Sequence, residues 1–257
     1  RRCDHGRMTT FNALALRPEL AASVQALGYT EMTPVQEHSV PPILQGRDVI
    51  AQARTGSGKT AAFGLGLLQS LDESTIRLQA LVLCPTRELA DQVSKSIRKL
   101  AANIPNVKLL TLCGGMPLGP QLASLEHDPH IVVGTPGRIQ EHLKKGSLHG
   151  GGIKVLVLDE ADRMLDMGFA EDVDDIVGRI SKHHQTLLFS ATYPEGIAKL
   201  AGLPDVIAHG MLTMGLGAGF ASAWTGDPGA VTRYAVRLSA PAIVSSCPRT
   251  SGTSLET

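Results

Sequence analysis

Short apolar runs alternate with amphipathic stretches between residues 48 and 190. Strands are predicted for the apolar runs at 48–53, 80–84, 108–112, 130–133, 155–158 and 186–189. Helical periodicity predicts helices at 60–71, 88–102, 139–144 and 171–180, and earlier at 18–27 and 35–44. This alternation is typical of an α/β fold, a doubly wound parallel sheet with helices on both faces, in which ligands bind at the carboxyl ends of the strands.

The two ends of the chain differ from this pattern. Residues 1–7 are polar and precede Met8, so we interpret them as a non-native or disordered leader. Residues 203–257 contain no lysine and many Gly, Ala, Ser and Pro residues. We predict a main domain at 8–202 and a poorly structured C-terminal tail at 203–257, which is either a flexible segment or a frame-shifted one.

The composition of the chain restricts the possible classes of protein but does not by itself indicate a function. The chain is 43% hydrophobic and 19% charged, which allows a packed core. Lys and Arg number 24, as do Asp and Glu, so a nucleic-acid ligand would need a local group of donors. The cysteines, which have no paired short spacing, exclude the usual zinc patterns and favour a reduced, cytoplasmic setting; they are Cys3, Cys84, Cys113 and Cys247. No membrane span is expected, because the uncharged stretch at 211–224 is short and glycine-rich.

A glycine-rich loop, ARTGSGKT at 53–60, follows one predicted strand and precedes a predicted helix. Such a loop directs backbone N–H groups and a helix N-terminus toward an anion. The pattern predicts a nucleoside-triphosphate site in which Lys59 meets the β- and γ-phosphates and the Thr60 hydroxyl coordinates Mg²⁺. The alternative is an incidental glycine turn. The predicted nucleotide ligands in the loop are Thr55, Gly56, Ser57, Gly58, Lys59 and Thr60.

The other half of this site is predicted where the apolar strand at 155–158 ends in an acidic tetrapeptide. Asp159 would hold Mg²⁺ through water, and Glu160 would orient and deprotonate an attacking water. Alone, such a tetrapeptide is more often a solvated helix start, but the phosphate loop favours the catalytic interpretation. The predicted catalytic residues are Glu160, Lys59 and Asp159.

Together these motifs resemble the DEAD-box family of superfamily 2 RNA helicases, from about residue 10 to residue 200. The resemblance implies that 8–202 is the family's RecA-like ATP-binding domain, with ATP and Mg²⁺ as cofactors. It also implies that Phe11 covers the adenine and that the Gln36 amide reads the adenine N6/N7 edge. Core packing is the alternative for Phe11.

Three further segments resemble the family's RNA-contacting motifs, and each follows a predicted strand: 85–90, 114–115 and 135–138. Their hydroxyl, guanidinium and glycine N–H groups suit phosphate oxygens, and nearby polar groups can sense the 2′-OH. Each segment alone is also ordinary cap or turn chemistry. The predicted RNA contacts are Pro85, Thr86, Arg87, Gly115, Thr135, Pro136, Gly137 and Arg138.

The segment at 190–192 resembles the motif that couples ATP hydrolysis to strand separation, so the hydroxyls of Ser190 and Thr192 are predicted partners of Asp162. Residues 79–93, 110–115 and 163–169 resemble the bacterial, ribosomal-RNA-directed DbpA type.

The resemblance further implies a second domain that supplies an arginine finger, and residues 203–257 contain no matching segment. Loss of such a finger slows turnover by about 10³–10⁵. We therefore expect this chain alone to bind ATP weakly and to hydrolyse it barely. We separately expect a monomer. The favoured interpretation is one half of an ATP-dependent RNA helicase that remodels duplexes of RNA, with ribosomal RNA as the target. The alternatives are a non-catalytic ATP- or RNA-binding module and a P-loop ATPase that acts on DNA or protein.

Overall fold

The computed structural model describes residues 10–192 and 243–244 of the chain. The strands are β1 (Val49–Gln52), β2 (Ala80–Leu83), β3 (Leu109–Leu112), β4 (Ile131–Gly134), β5 (Val155–Asp159), β6 (Gln185–Ser190) and β7 (Ile243–Val244). The α-helices are α1 (Pro18–Ala26), α2 (Pro34–Leu44), α3 (Lys59–Ser70), α4 (Arg87–Leu100), α5 (Leu118–Leu125), α6 (Pro136–Lys144), α7 (Ala161–Asp166) and α8 (Ala170–Arg179). Two 3₁₀ turns are found at Phe11–Ala13 and Gly150–Gly152.

The strands form one sheet in the order β3-β4-β2-β5-β6-β1-β7. The first six are parallel to their neighbours, which confirms the predicted doubly wound parallel sheet. The two residues of β7 pair antiparallel with β1. They fall in the segment that we predicted to be poorly structured; the rest of that segment, and the predicted leader at 1–7, lie outside the described residues.

Helices cover both faces of the sheet. Successive side chains of a strand point to opposite sides, so a strand with only apolar residues has an apolar surface on each face that a helix can bury. In β5, Val155 and Val157 belong to one hydrophobic cluster, whereas Leu156 and Leu158 belong to the other. The first cluster includes residues of α1 to α4, and the second includes residues of α5 to α8. A strand buried on both faces explains why 155–158 is a continuous apolar run. Within residues 10–192, no helix is both long and apolar enough to cross a bilayer.

Candidate nucleotide and nucleic-acid site

The chemistry-bearing segments meet at the carboxyl edge of the sheet. β1 ends at Gln52 and leads through the glycine-rich loop into α3, while β5 ends at Asp159 and β6 at Ser190. β6 lies between β1 and β5 in the sheet. Because all three strands run in the same direction, the loop, the acidic segment and the 190–192 segment are neighbours.

The glycine-rich loop has a backbone that only glycine adopts easily. Gly56 and Gly58 have φ angles of 81° and 90°, in the left-handed region. A Cβ at Gly58 would lie 2.5 Å from Gln36 Nε2, so a side chain there would also displace the glutamine. The buried Ser57 hydroxyl oxygen has no hydrogen-bond partner among the described residues. The loop therefore presents backbone N–H groups and one unused hydroxyl at the N-terminus of α3.

Lys59 contacts both predicted catalytic carboxylates. Its Nζ lies 2.7 Å from Asp159 Oδ1 and 3.2 Å from Glu160 Oε1. The side chains of Lys59 and Asp159 are 4% and 0% exposed. The structure thus brings together the two halves of the site that the sequence predicted from separate motifs.

Burial raises the pKa of the Asp159 carboxyl, although Lys59 opposes that shift. Asp159 Oδ2 is buried and accepts no hydrogen bond from a described residue. Such an oxygen is a suitable place for a hard cation or its bound water, and the half-buried Thr60 hydroxyl is a second oxygen at the start of α3. No group of three or more His, Cys, Asp or Glu residues able to hold a metal occurs in the described part of the chain. These residues fit Mg²⁺ that takes its other ligands from phosphate and water.

Glu160 is held by three donors and has an uncommon backbone. Thr55 Oγ1 donates to its Oε1 at 2.9 Å, and Arg163 Nη1 donates to its Oε2 at 2.8 Å. Burial raises the pKa of the Glu160 carboxyl, but Arg163, Lys59 and Thr55 outweigh that effect and the pKa lies below its usual value. Glu160 has φ 55° and ψ 52°, a left-handed conformation that costs a non-glycine residue about 1–2 kcal/mol. The Arg163 contact was not predicted.

The Gln36 amide joins helix α2 to the glycine-rich loop. Its Oε1 accepts from Thr33 N at 2.8 Å, and its Nε2 donates to Gly58 O at 3.0 Å. Each amide atom keeps one further hydrogen-bonding position, so the predicted reading of adenine is compatible with these contacts. Phe11 is 3% exposed and packs against Tyr29, with ring centroids 5.7 Å apart. This favours the core-packing alternative for Phe11, and the adenine-covering role stays a prediction.

Asp162 and the 190–192 segment make the predicted contacts. Thr192 donates from its backbone N and from Oγ1 to Asp162 Oδ2, each at 2.9 Å. Asp162 N donates to Ser190 Oγ at 3.1 Å. Burial raises the pKa of the Asp162 carboxyl, but the Thr192 hydrogen bonds outweigh it and the net shift is downward. The Thr192 hydrogen bonds therefore favour the charged form of Asp162, at the start of α7.

The three segments predicted to contact RNA adjoin one another at the carboxyl ends of β2, β3 and β4. Thr135 Oγ1 accepts from Gly114 N at 3.2 Å, and Arg87 Nη2 lies 3.3 Å from Met116 Sδ. A Cβ on Gly115, whose φ is 75°, would lie 3.2 Å from Arg87 Nη1.

The residues predicted to contact RNA differ in their exposure to solvent. Arg87, Gly115 and Gly137 are exposed, and Thr86, the half-buried N-cap of α4, accepts from Leu89 N at 3.3 Å. Pro85 and Pro136 are buried, so these two residues present little surface to a ligand. Arg138 is largely engaged within the protein, as described below.

Comparison with known proteins shows which family has this combination of fold and site. Residues 33–200 match the model of the DEAD/DEAH box helicase family. The chain is 57% identical over 196 residues to the ATP-dependent RNA helicase DbpA of Escherichia coli, covering 76% of this chain and 43% of that protein. It is 46% identical over 194 residues to the DEAD-box ATP-dependent RNA helicase CshA of Bacillus cereus, covering 76% of this chain and 37% of that protein.

Solved structures of proteins with related sequences have a similar fold. A DEAD box protein from the hyperthermophile Methanococcus jannaschii superposes with a TM-score of 0.72 at 40% identity, covering 76% of this chain and 53% of that one. A hypothetical ATP-dependent RNA helicase from Sulfolobus tokodaii gives a TM-score of 0.66 at 35% identity, covering 73% and 54%. The chain belongs to the DEAD/DEAH box helicase family, with a RecA-like fold, and the predicted similarity to the DbpA type is confirmed. It spans about half the length of these relatives or less.

Proposed function

We propose that this chain is the ATP- and RNA-backbone-binding part of an ATP-dependent RNA helicase that couples ATP binding and hydrolysis to remodelling of RNA duplexes. The observation that carries the proposal is the buried contact of Lys59 with Asp159 and Glu160 at the mouth of the glycine-rich loop. A lysine, a carboxylate with an unused oxygen and a second carboxylate are among the groups that phosphoryl transfer to water needs.

In the proposed reaction the groups of the loop change partners. Lys59 leaves the carboxylates for the β- and γ-phosphates, while the loop N–H groups bind the remaining phosphate oxygens. When bound, Mg²⁺ neutralises charge on the phosphates, and Thr60 and Asp159 would hold it. Glu160, released from Lys59, orients the attacking water and accepts its proton as the water oxygen bonds to the γ-phosphorus, while the bond from that phosphorus to the bridging oxygen breaks and ADP leaves.

The proposed RNA surface comprises the exposed groups at the ends of β2, β3 and β4. Arg87 and the backbone N–H groups of Gly115 and Gly137 would bind phosphate oxygens, so binding would depend on the backbone and not on base sequence. Asp162 with Ser190 and Thr192 would transmit the state of the nucleotide site. We further propose ribosomal RNA as the target, because the resemblance to the DbpA type implies it. A cytoplasmic location, favoured by the cysteine pattern, and a monomeric chain are also proposed.

A second RecA-like domain is the proposed partner for hydrolysis, since an arginine finger from such a domain accelerates it by about 10³–10⁵. We accordingly propose that the 257-residue chain binds Mg·ATP but turns it over slowly on its own. A phosphate-release assay with structured RNA tests this. Fast RNA-stimulated turnover by this chain would contradict it.

Binding of labelled RNA and of DNA with the same sequence tests the proposed substrate class. Fluorescence anisotropy should show tighter binding to RNA, further tightened by a non-hydrolysable ATP analogue. Equal binding of the two nucleic acids, with no effect of the analogue, would favour a P-loop ATPase with another substrate.

A further inference from the structure

A buried polar group lies beneath the loop at 113–117 and includes two residues that were not predicted to be functional. Gln121 and His142 are 8% and 0% exposed. His142 Nε2 lies 3.0 Å from Gln121 Oε1, and the same oxygen accepts from Arg138 Nη1 at 2.9 Å. Gln121 Nε2 donates to Cys113 O at 3.1 Å. Three bonds to one buried amide fix its orientation, because a buried polar group without a partner is strongly disfavoured.

The hydrogen positions on His142 follow from its partners. Gln121 Oε1 can only accept, so His142 Nε2 carries a hydrogen. Burial lowers the pKa of His142, which favours the neutral ring. In the neutral ring Nδ1 then accepts from the Ser147 hydroxyl, whose oxygen lies 2.9 Å away, so the single hydroxyl hydrogen points to Nδ1 rather than to His142 O, which lies 3.2 Å from the same oxygen. His142 is thus a neutral donor that orients Gln121.

Arg138 uses its planar guanidinium inside the protein. Nη1 and Nη2 both donate to Met116 O at 3.1 Å, and Nε lies 3.2 Å from Glu141 Oε2. The Arg138 side chain is only 12% exposed. Since Nη1 also donates to Gln121, most of the N–H groups of Arg138 are occupied before any ligand arrives.

These contacts bind the loop from its inner side. Cys113 O and Met116 O accept from Gln121 and Arg138, while Gly114 N donates to Thr135. Gly115 and Met116 remain exposed on the outer side. The shape of the exposed part of the loop therefore depends on buried side chains behind it.

We propose that His142, Gln121 and Arg138 are positioning residues that hold the loop at 113–117 in the shape that binds the sugar–phosphate backbone of single-stranded RNA. Arg138 acts through the loop and is not itself a phosphate ligand. The proposal rests on the proposed function, because it specifies how that RNA surface is built.

The test uses the 257-residue chain and anisotropy of a fluorescein-labelled oligouridylate. Gln121→Met removes all three hydrogen bonds of the amide. Arg138→Lys keeps the positive charge but not the planar guanidinium, which donates several hydrogen bonds at once. Each should weaken binding by about tenfold. His142→Met should weaken it similarly, whereas His142→Gln, which keeps a donor near the position of Nε2, should restore affinity to within about threefold of wild type.

Gln79→Met is the matched control for general destabilisation. Gln79 is 1% exposed and its amide also makes several hydrogen bonds, accepting from Asp72 N at 3.0 Å and donating to Asp72 O at 2.6 Å. It precedes β2 and so lies at the opposite end of that strand from the proposed RNA surface. Its replacement should lower thermal stability while leaving RNA affinity within about twofold. An equal loss of affinity in this control would overturn the proposal.

Two further outcomes separate the alternatives. If Arg138→Lys binds like wild type and Arg138→Ala lowers the salt slope by about one, Arg138 is a phosphate ligand and the proposal is wrong. If the wild-type chain binds no oligouridylate, the proposed function fails, but amide hydrogen exchange of residues 113–116 still tests the positioning. Exchange there should be faster in Gln121→Met and unchanged in Gln79→Met; unchanged exchange in Gln121→Met would overturn the proposal.

Discussion

Replacing Lys59 by methionine removes the cation from a buried pair and leaves two adjacent carboxylates. Asp159 is fully buried, and Lys59 Nζ at 2.7 Å is the positive charge nearest to it. Removing one partner of such a pair destabilises a protein by about 3–5 kcal/mol, because the remaining charge has lost its compensation. At roughly 2–4 °C for each kcal/mol, we expect the Tm of Lys59→Met to be about 10 °C lower near pH 8.

The loss of stability in this variant should depend on pH. Burial already raises the pKa of Asp159, and removal of Lys59 raises it further. At pH values between the ordinary pKa of Asp159 and its raised pKa in the folded protein, the native state binds more protons than the unfolded state. The free energy of unfolding therefore increases as pH falls through this range. The difference between variant and wild type should therefore be largest above the folded pKa of Asp159 and should shrink as pH decreases toward the ordinary value.

Urea unfolding at a series of pH values measures this difference, with Lys95→Met as a control. Lys95 is an exposed lysine of α4, and its replacement should change stability by less than about 0.5 kcal/mol. A loss below about 1 kcal/mol for Lys59→Met at every pH would refute the buried pair.

Three more predictions follow from the same site. Glu160→Gln should lower the slow ATP turnover of this chain to the background of a phosphate-release assay at high protein concentration, because a general base contributes about 10²–10⁴, while ATP affinity is kept; turnover equal to that of wild type would exclude Glu160 as the base. Gln36→Ala should reduce the preference for ATP over GTP in competition binding and lower stability by about 1 kcal/mol, because the α2 cap is lost; an unchanged preference would contradict adenine reading. Thr192→Val removes a donor to Asp162 and so raises the pKa of that carboxyl. A carboxyl whose pKa is lower in the folded state than in the unfolded state stabilises the protein at pH values above its ordinary pKa, and this stabilisation is lost as pH falls. Thr192→Val should therefore lower the free energy of unfolding by about 1 kcal/mol at neutral pH and by little in acid. A loss that does not depend on pH would contradict this.

Local patterns predicted the scaffold well. The six parallel strands begin and end within two residues of their predicted positions, since apolar runs bounded by polar residues reflect burial on both faces of the sheet. The predicted proximity of Lys59 to Asp159 and Glu160 required only the rule that parallel strands share a carboxyl edge.

Features that depend on tertiary contacts or short segments were missed. Helix α7 has six residues and α5 contains Gly119 and Pro120, so neither has a clear helical period. The contact of Arg163 with Glu160 joins residues three apart at the start of α7, which was not predicted, and no sequence pattern indicates the left-handed backbone at Glu160. The bonds of Gln121 to Cys113 and His142 likewise join α5 to the loop and to α6, residues that are distant in sequence.

Calorimetric titration of the folded chain with ATP tests the central claim most directly, namely that Lys59 and Thr60 form one Mg·ATP site with Asp159 and Glu160. We expect saturable binding of one nucleotide that weakens strongly when Mg²⁺ is chelated and is lost in Lys59→Met. The absence of binding heat at millimolar ATP and Mg²⁺, with protein shown to be folded by circular dichroism, would contradict it.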